Sequence, residues 1–402
     1  MSTAVKEETP AQEGQAQARS TAEADLTKYK TAADIVNTAT KKLVELAVPG
    51  AKIFDLCVEG DKLIEQGTGA VYNKGGKANK IAKGIAFPTA ISVNNAVSHV
   101  SPLASDTLGS AVLAQGDVVK IHLGAHIDGF ASVHAETLIV GATEENPATG
   151  RQADVVRAAW TAAEAAMRTV KAGNKNWTVT EVVNKAVAPW GCKAVEGMLS
   201  CQQSQNVIDG KKRIILNPNE SQKQGFEAAT FAENEVYGVD ILVSSGTDGK
   251  ARAEESRTTI YSRVSDVTYQ LKMKTSRAVF SEVQKKAGAF PFTIRSFEDE
   301  KRARMGLQEA VQHGLVRPFE VLYTPPETFV AAFHFTIALL PNGPTLITHP
   351  PVWYKPELVK TEKELEDEEL KDLLAKKLRE PKKKKKAAKE ESGDKPAAEA
   401  AE

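Results

Sequence analysis

Several features that mark protein classes are scarce or missing. The chain has three cysteines in 402 residues, Cys57, Cys192 and Cys201. That number is too small and odd for a disulfide scaffold, and it fits a reducing, intracellular compartment. Net charge is nil, because 52 Lys and Arg cancel 52 Asp and Glu, so only local clusters speak to polyanionic partners. The longest apolar stretch, Phe329 to Leu340, falls well short of the ~20 residues that span a bilayer, and no membrane partner is expected. Glu7, Glu8, Glu13, Glu23 and Asp25 crowd the N-terminal segment without an apolar run, so no secretory signal is expected. There is no GxSxG elbow, HExxH helix, GxxxxGK[ST] loop or CxxC pair, which removes the commonest hydrolase, nucleotide and zinc-knuckle readings.

The remaining composition is globular, with length for one large α/β domain or two fused halves. Residues 1–24 are Ala, Gln, Glu, Ser and Thr without apolar periodicity and read as a disordered arm. Ile35, Ala39, Leu43 and Leu46 then give helical spacing, ended by Pro49-Gly50, and a second helix is expected over 52–66. From Val118 the period drops to two, and Asp128-Gly129 marks a hairpin. Helices follow over 151–171 and 178–187. Residues 202–227 are polar and read as an inserted loop region. Strand-like runs recur at EVYGVDILVSS and RTTIYSR, followed by helices over 276–287 and 298–311 and a second hairpin turning at Asn342-Gly343. Helices followed by a hairpin in both halves hint at internal duplication. The folded body is expected over 25–355, with a charged helix and a Lys-rich tail over 356–402.

Four of the seven histidines lie in strand-like runs. His122, His126 and His134 belong to the first hairpin and His334 to the second. Period-two spacing puts His122 and His126 on one strand face. Basic residues cluster at Lys211-Lys212-Arg213, at Lys272, Lys274, Arg277, Lys285 and Lys286, at Lys301, Arg302 and Arg304, and at Lys382, Lys383, Lys384, Lys385 and Lys386. Such clusters favour salt-dependent, sequence-tolerant binding to phosphates, and no base-reading module is apparent. Leu370, Leu373 and Leu374 form an LxxLL pattern, the form of helices that dock into apolar grooves.

The stretches FPTAISVNNAVSHVSP, GDVVKIHLGAHIDGF, EGMLSCQQSQNVIDG, ENEVYGVDILVSSG and FVAAFHFTIALLPNGP resemble type II methionine aminopeptidases. LKMKTSRAVFSEV and PFTIRSFEDEKRARMG resemble more closely the proliferation-associated family, with its fungal curved-DNA-binding proteins. The resemblance spans residues 30–355. It implies an α+β pita-bread (creatinase/aminopeptidase-like) fold: pseudo-duplicated antiparallel sheets covered by helices, with a middle insertion.

The peptidases hold two metal ions with two Asp, one His and two Glu, and position substrate with a further His. Carried over residue by residue, the positioning histidine falls on His99. The ligand positions fall on His122, Val133, Cys201, Asp240 and His334, so only one remains a carboxylate. A bridged metal pair needs several carboxylates to neutralise it, and the resemblance therefore implies a catalytically dead scaffold without cofactor. His122, Cys201, Asp240 and His334 are zinc-type donors, which leaves a single tetrahedral Zn²⁺ as an alternative content of that pocket. The family resemblance further implies binding to ribosomal particles and rRNA, to structured RNA or bent DNA, and a place in ribosome assembly, translation or growth control in cytoplasm and nucleus or nucleolus. The competing reading is a residual single-metal methionine aminopeptidase that uses His99.

Overall fold

The computed structural model describes residues 10–74, 81–254 and 256–379, with side chains from residue 23 onward. Helices α1 (Pro10–Leu46) and α2 (Ile53–Ala70) lead into strand β1 (Lys83–Val93), the short β2 (Ala96–Ser98) and the hairpin β3 (Val118–Ile127) and β4 (Phe130–Ile139). Asp128 and Gly129 both take positive φ, 54° and 81°, as a tight hairpin turn requires. Helices α3 (Gly150–Thr169) and α4 (Asn176–Val187) open the second half. They are followed by β5 (Lys193–Ala194), β6 (Leu199–Gln203), β7 (Arg213–Ile215), α5 (Glu220–Gly225), β8 (Val236–Ser244) and β9 (Arg252–Ala253).

A small subdomain comes next: β10 (Ile260–Arg263), α6 (Lys274–Lys286), β11 (Phe292–Thr293), α7 (Glu300–Gln312) and β12 (Val316–Pro318). The chain then returns through β13 (Leu322–Tyr323), β14 (Val330–Leu340), β15 (Gly343–Leu346) and α8 (Glu368–Ala375).

One nine-stranded antiparallel sheet organises the body, in the order β1-β3-β4-β14-β8-β6-β7, with β15 and β5 attached to β14 and β8. Helices α1 and α2 cover the first half, over Ile91, Ile121 and Leu123. Helices α3 and α4 cover the second, over Tyr237, Val239, Phe333 and Phe335. The two halves thus share one layout, as the repeated helix-then-hairpin order suggested.

Three boundaries differ from expectation. Helix α1 begins at Pro10, so the expected arm contributes helix from there; Ala, Gln and Glu are strong helix formers and can extend a helix anchored further along without an apolar stripe. Residues 1–9 lie outside the described residues. Second, 202–227 is not an inserted loop: Ser200 and Cys201 pair with Ile214 and Arg213, and Cys201–Gln203 pair with Val236–Gly238 of β8. These strands are too short and half-exposed to show a period-two pattern. The segment that leaves the sheet is the β10–β12 subdomain, which has its own three-stranded sheet and apolar core.

Third, the body continues past residue 355. Leu358, Val359 and Leu370 are buried in the core beneath α3, and Leu373 and Leu374 pack against it. Helix α8 therefore spends its LxxLL leucines inward, on the body of its own chain. Leu370 is 3% exposed and is not available as a docking face. The lysine run 382–386 lies outside the described residues.

Candidate functional site

Alternation along each strand sorts the sheet into two faces. Ile121, Leu123, Val239, Ile241, Phe333 and Phe335 face the helices, which sends His122, Asp240 and His334 to the other side. Cross-strand register then aligns them. Ala90, His122, Ala135, His334 and Asp240 are consecutive partners across β1, β3, β4, β14 and β8. The two alanines leave room for the imidazoles. The rings of His122 and His334 are 5.5 Å apart across Ala135, and His334 Nδ1 lies 3.8 Å from Asp240 Oδ1.

The pocket walls are apolar. Phe87 stacks on His122 at 4.3 Å and 13°. Val133 packs with Phe87, Ala90 and Ile260 in a buried cluster, with Phe319 against it. Phe319 arrives from the end of β12 and meets the His99 ring edge-on at 5.1 Å. His99 holds a positive φ of 68°, a costly backbone state for a residue with a Cβ, and its Nδ1 is 3.1 Å from the Glu320 carbonyl oxygen. Gly238 keeps space open beside this row: a Cβ there would lie 2.4 Å from Gln203 Nε2 and 3.0 Å from His334 Nε2, so those side chains would have to shift.

Enclosure sets the charge states. Burial lowers His99 to about 4 and His334 to about 3, and pushes His122 well below the ordinary imidazole value, with the neighbouring imidazoles adding to the effect. Burial also raises Asp240 to about 7 and the Cys201 thiol to about 11. At neutral pH the imidazoles are uncharged.

The four donors of the alternative zinc reading are not grouped. Cys201 sits opposite Gly238 rather than Asp240, on a strand four places from that of His122, with strands ~4.8 Å apart. Among the described residues no three His, Cys, Asp or Glu side chains are grouped to hold a metal ion. Nor do the residues fit the peptidases' metal pair. Neutral imidazoles and one carboxyl cannot balance two divalent cations, and Val133 offers no donor. His126 and His134 also leave the pocket: His126 stacks on Phe290 at 4.2 Å, and His134 Nε2 lies 3.2 Å from the buried Glu136 carboxylate.

The second candidate is the β10–β12 subdomain. Gly306 lets α7 press onto α6, since a Cβ there would meet Val279 Cγ2 at 2.6 Å. Lys272, Lys274, Arg277, Lys285 and Lys286 are exposed along α6 and its entry, as are Lys301, Arg302 and Arg304 on α7. Two of them serve the fold. Arg277 donates to the carbonyls of Leu271 and Lys272, and Lys286 pairs with Glu282 at 2.9 Å and donates to the Ser296 carbonyl. Among the described residues, Lys272, Lys274, Lys285, Lys301, Arg302 and Arg304 have no carboxylate within ion-pair distance. Lys212, in the earlier basic cluster, is engaged with Glu235 at 2.6 Å.

A residue that the sequence did not single out joins this subdomain to the body. Arg295 donates to Asp61 on α2 at 2.6 Å, to Ser101 Oγ and to the carbonyls of Pro102 and Thr89. Arg295 and Asp61 are 6% and 16% exposed. The only trace in the sequence is a lone cation in the apolar run PFTIRSF; its partner lies 234 positions away.

Comparison with known proteins agrees with this architecture. Metallopeptidase family M24 matches residues 27–212. The chain is 48% identical to the curved DNA-binding protein of Schizosaccharomyces pombe, over 86% of this chain and 88% of that one. It is 40% identical to proliferation-associated protein A of Dictyostelium discoideum, over 90% of each. The solved structure of a thermophilic Arx1 superimposes with a TM-score of 0.82 at 34% identity, covering 89% of this chain and 99% of that one. The chain therefore belongs to the family of curved DNA-binding and proliferation-associated proteins, on the pita-bread fold of metallopeptidase family M24.

Proposed function

We propose that this protein is a non-catalytic aminopeptidase homologue that binds structured RNA or curved DNA, and through rRNA the ribosomal particle, in ribosome assembly, translation or growth control. The observation that carries the reading is a contrast in charge. The row across the sheet holds neutral imidazoles and a single carboxyl, Asp240, beside Val133, while exposed cations without carboxylate partners gather on α6 and α7. Lys272, Lys274, Arg277, Lys285 and Lys286, with the tail lysines 382–386, are the proposed phosphate contacts. Such contacts follow backbone shape rather than base identity. The name of the Schizosaccharomyces pombe relative supports a nucleic-acid ligand. A role on ribosomal particles implies a location in cytoplasm and nucleus or nucleolus.

Co-sedimentation of the full chain with large ribosomal subunits, at low and moderate salt, tests the binding. Association that weakens with salt is expected, and absence of association at low salt would remove the ribosomal part of the proposal. Release of methionine from short peptides with added Zn²⁺, Co²⁺ or Mn²⁺ tests the competing peptidase reading. No turnover above blank is expected; metal-dependent turnover abolished by His99→Ala would overturn the non-catalytic assignment.

A further inference from the structure

Two of the large apolar side chains most open to solvent lie on the cationic subdomain. Among the described residues, Met305 on α7 is 66% exposed and Met273, at the start of α6, is 49% exposed. Hydrogen bonds from the α6 entry to α7 tie their two segments together. The Glu309 carboxylate accepts the backbone N–H groups of Lys272 and Met273 at 2.7 and 3.2 Å, and Met305 lies one turn before Glu309 on the same helix face. The helices are close here: a Cβ added at Gly306 would lie 3.2 Å from the Thr275 carbonyl oxygen.

Over residues 272–312 nine Lys and Arg outnumber five Asp and Glu, and Glu298 stands exposed beside Lys301. Glu309 caps the start of α6, Glu282 pairs with Lys286, Asp299 accepts the Arg302 N–H, and Glu300 bears on Arg295. Lys272 and Lys274 flank Met273 in the chain, and Lys301 and Arg302 lie one turn before Met305 on α7. Two methionines are too small a patch for a stable protein interface. A polyanion satisfies these cations, and an unbranched, polarisable side chain suits insertion between bases that have come partly unstacked.

Resting on the nucleic-acid reading above, we propose that Met273 and Met305 form an apolar wedge that enters an unstacked step of a bent DNA duplex while the flanking cations hold its phosphates. Curvature is then recognised because a step already opened costs less to enter.

The test is fluorescence anisotropy of the full chain on a straight DNA duplex, on the same duplex with a central bulge, and on the RNA version of each. Wild type is expected to prefer the bulged DNA by about tenfold. Met273→Gln with Met305→Gln should erase that preference, leave affinity for the straight duplex within about twofold, and leave the salt slope unchanged. Both side chains are exposed, so the thermal midpoint should not move. Lys272→Gln with Lys301→Gln should weaken binding to straight and bulged DNA alike and flatten the salt slope. A methionine double variant that keeps the wild-type preference overturns the wedge and leaves nucleic-acid binding standing. Binding to RNA without binding to DNA, or no preference of wild type for the bulged DNA, overturns the wedge and leaves nucleic-acid binding standing. Failure to bind any of the four at low salt overturns both the wedge and the reading beneath it.

Discussion

In the row across the sheet, His122 and His334 face each other through Ala135, uncharged, beneath Phe87 and Phe319. On α6, its entry and α7, Lys272, Lys274, Lys301 and Arg302 are exposed, as are Met273 and Met305. The first region has kept the shape of a reaction chamber, with a strained His99 at its rim, and holds little charge at neutral pH. The second has no chamber and concentrates charge. An enclosed site loses its chemistry when a few donors change, because every ligand is needed. An open cationic surface gains affinity one side chain at a time.

The comparison breaks most severely where the two regions are joined. Arg295→Ala removes the guanidinium that Asp61 faces and leaves a carboxylate enclosed. A loss of about 3–5 kcal/mol is expected, measured by denaturant unfolding of the full chain; a loss within about 0.5 kcal/mol would mean that the junction is not held by this pair. Leu370→Ala follows, at about 2–5 kcal/mol. A docking leucine on a free helix would cost almost nothing in the isolated chain, so the same unfolding experiment decides which role α8 has.

Acid sharpens the contrast. His99, His334 and His126 titrate near 4, 3 and 4 in the fold, and His122 is also depressed, against about 6.5 in an unfolded chain. Between those values the unfolded chain binds protons that the folded one refuses, so stability is present above pH 6.5 and is lost on acidification. Asp240 acts oppositely. Raised to about 7, it holds a proton in the fold that the unfolded chain releases above about 3.9, which offsets one imidazole. Stability should therefore fall between pH 6 and 5 by about 1.4 kcal/mol for each net proton. His334→Asn should flatten the curve. A stability flat over this range would show that the pocket is more solvated than its packing indicates.

The smallest effect is on the cationic face. Lys274→Gln should reduce the salt slope of nucleic-acid binding by about one and leave unfolding unchanged. An altered thermal midpoint would give this lysine a structural role instead.

What could be read from sequence was whatever short-range chemistry encodes. The Asp128-Gly129 turn and the period-two run around it fixed the first hairpin, and apolar spacing fixed α2, α3 and α4 to within a few residues. The strands β6 and β7 were missed because five and three half-exposed residues carry no measurable period. The departure of β10–β12 from the sheet was also hidden, since α6 and α7 have the apolar spacing of any surface helix. What makes them a subdomain is a pairing between β10 and β12 across some fifty residues. In the pocket, the resemblance located His99, His122, Asp240 and His334. Phe319 and Arg295 were invisible because their partners lie on distant segments. The place of Cys201 four strands from His122 was also hidden, because strand order, unlike strand identity, leaves no local signal.

The proposed function puts nucleic-acid binding on the α6–α7 face and not in the sheet pocket. The most direct measurement is the salt dependence of nucleic-acid affinity for wild type, for a variant carrying Lys272→Gln, Lys274→Gln, Lys285→Gln and Lys301→Gln, and for His122→Phe. The account gives a steep slope for wild type, a slope shallower by about one for each phosphate that the charge variant no longer neutralises, and an unchanged slope for His122→Phe. Equal slopes for wild type and the charge variant, or a collapse of binding in His122→Phe with its fold intact, would contradict it.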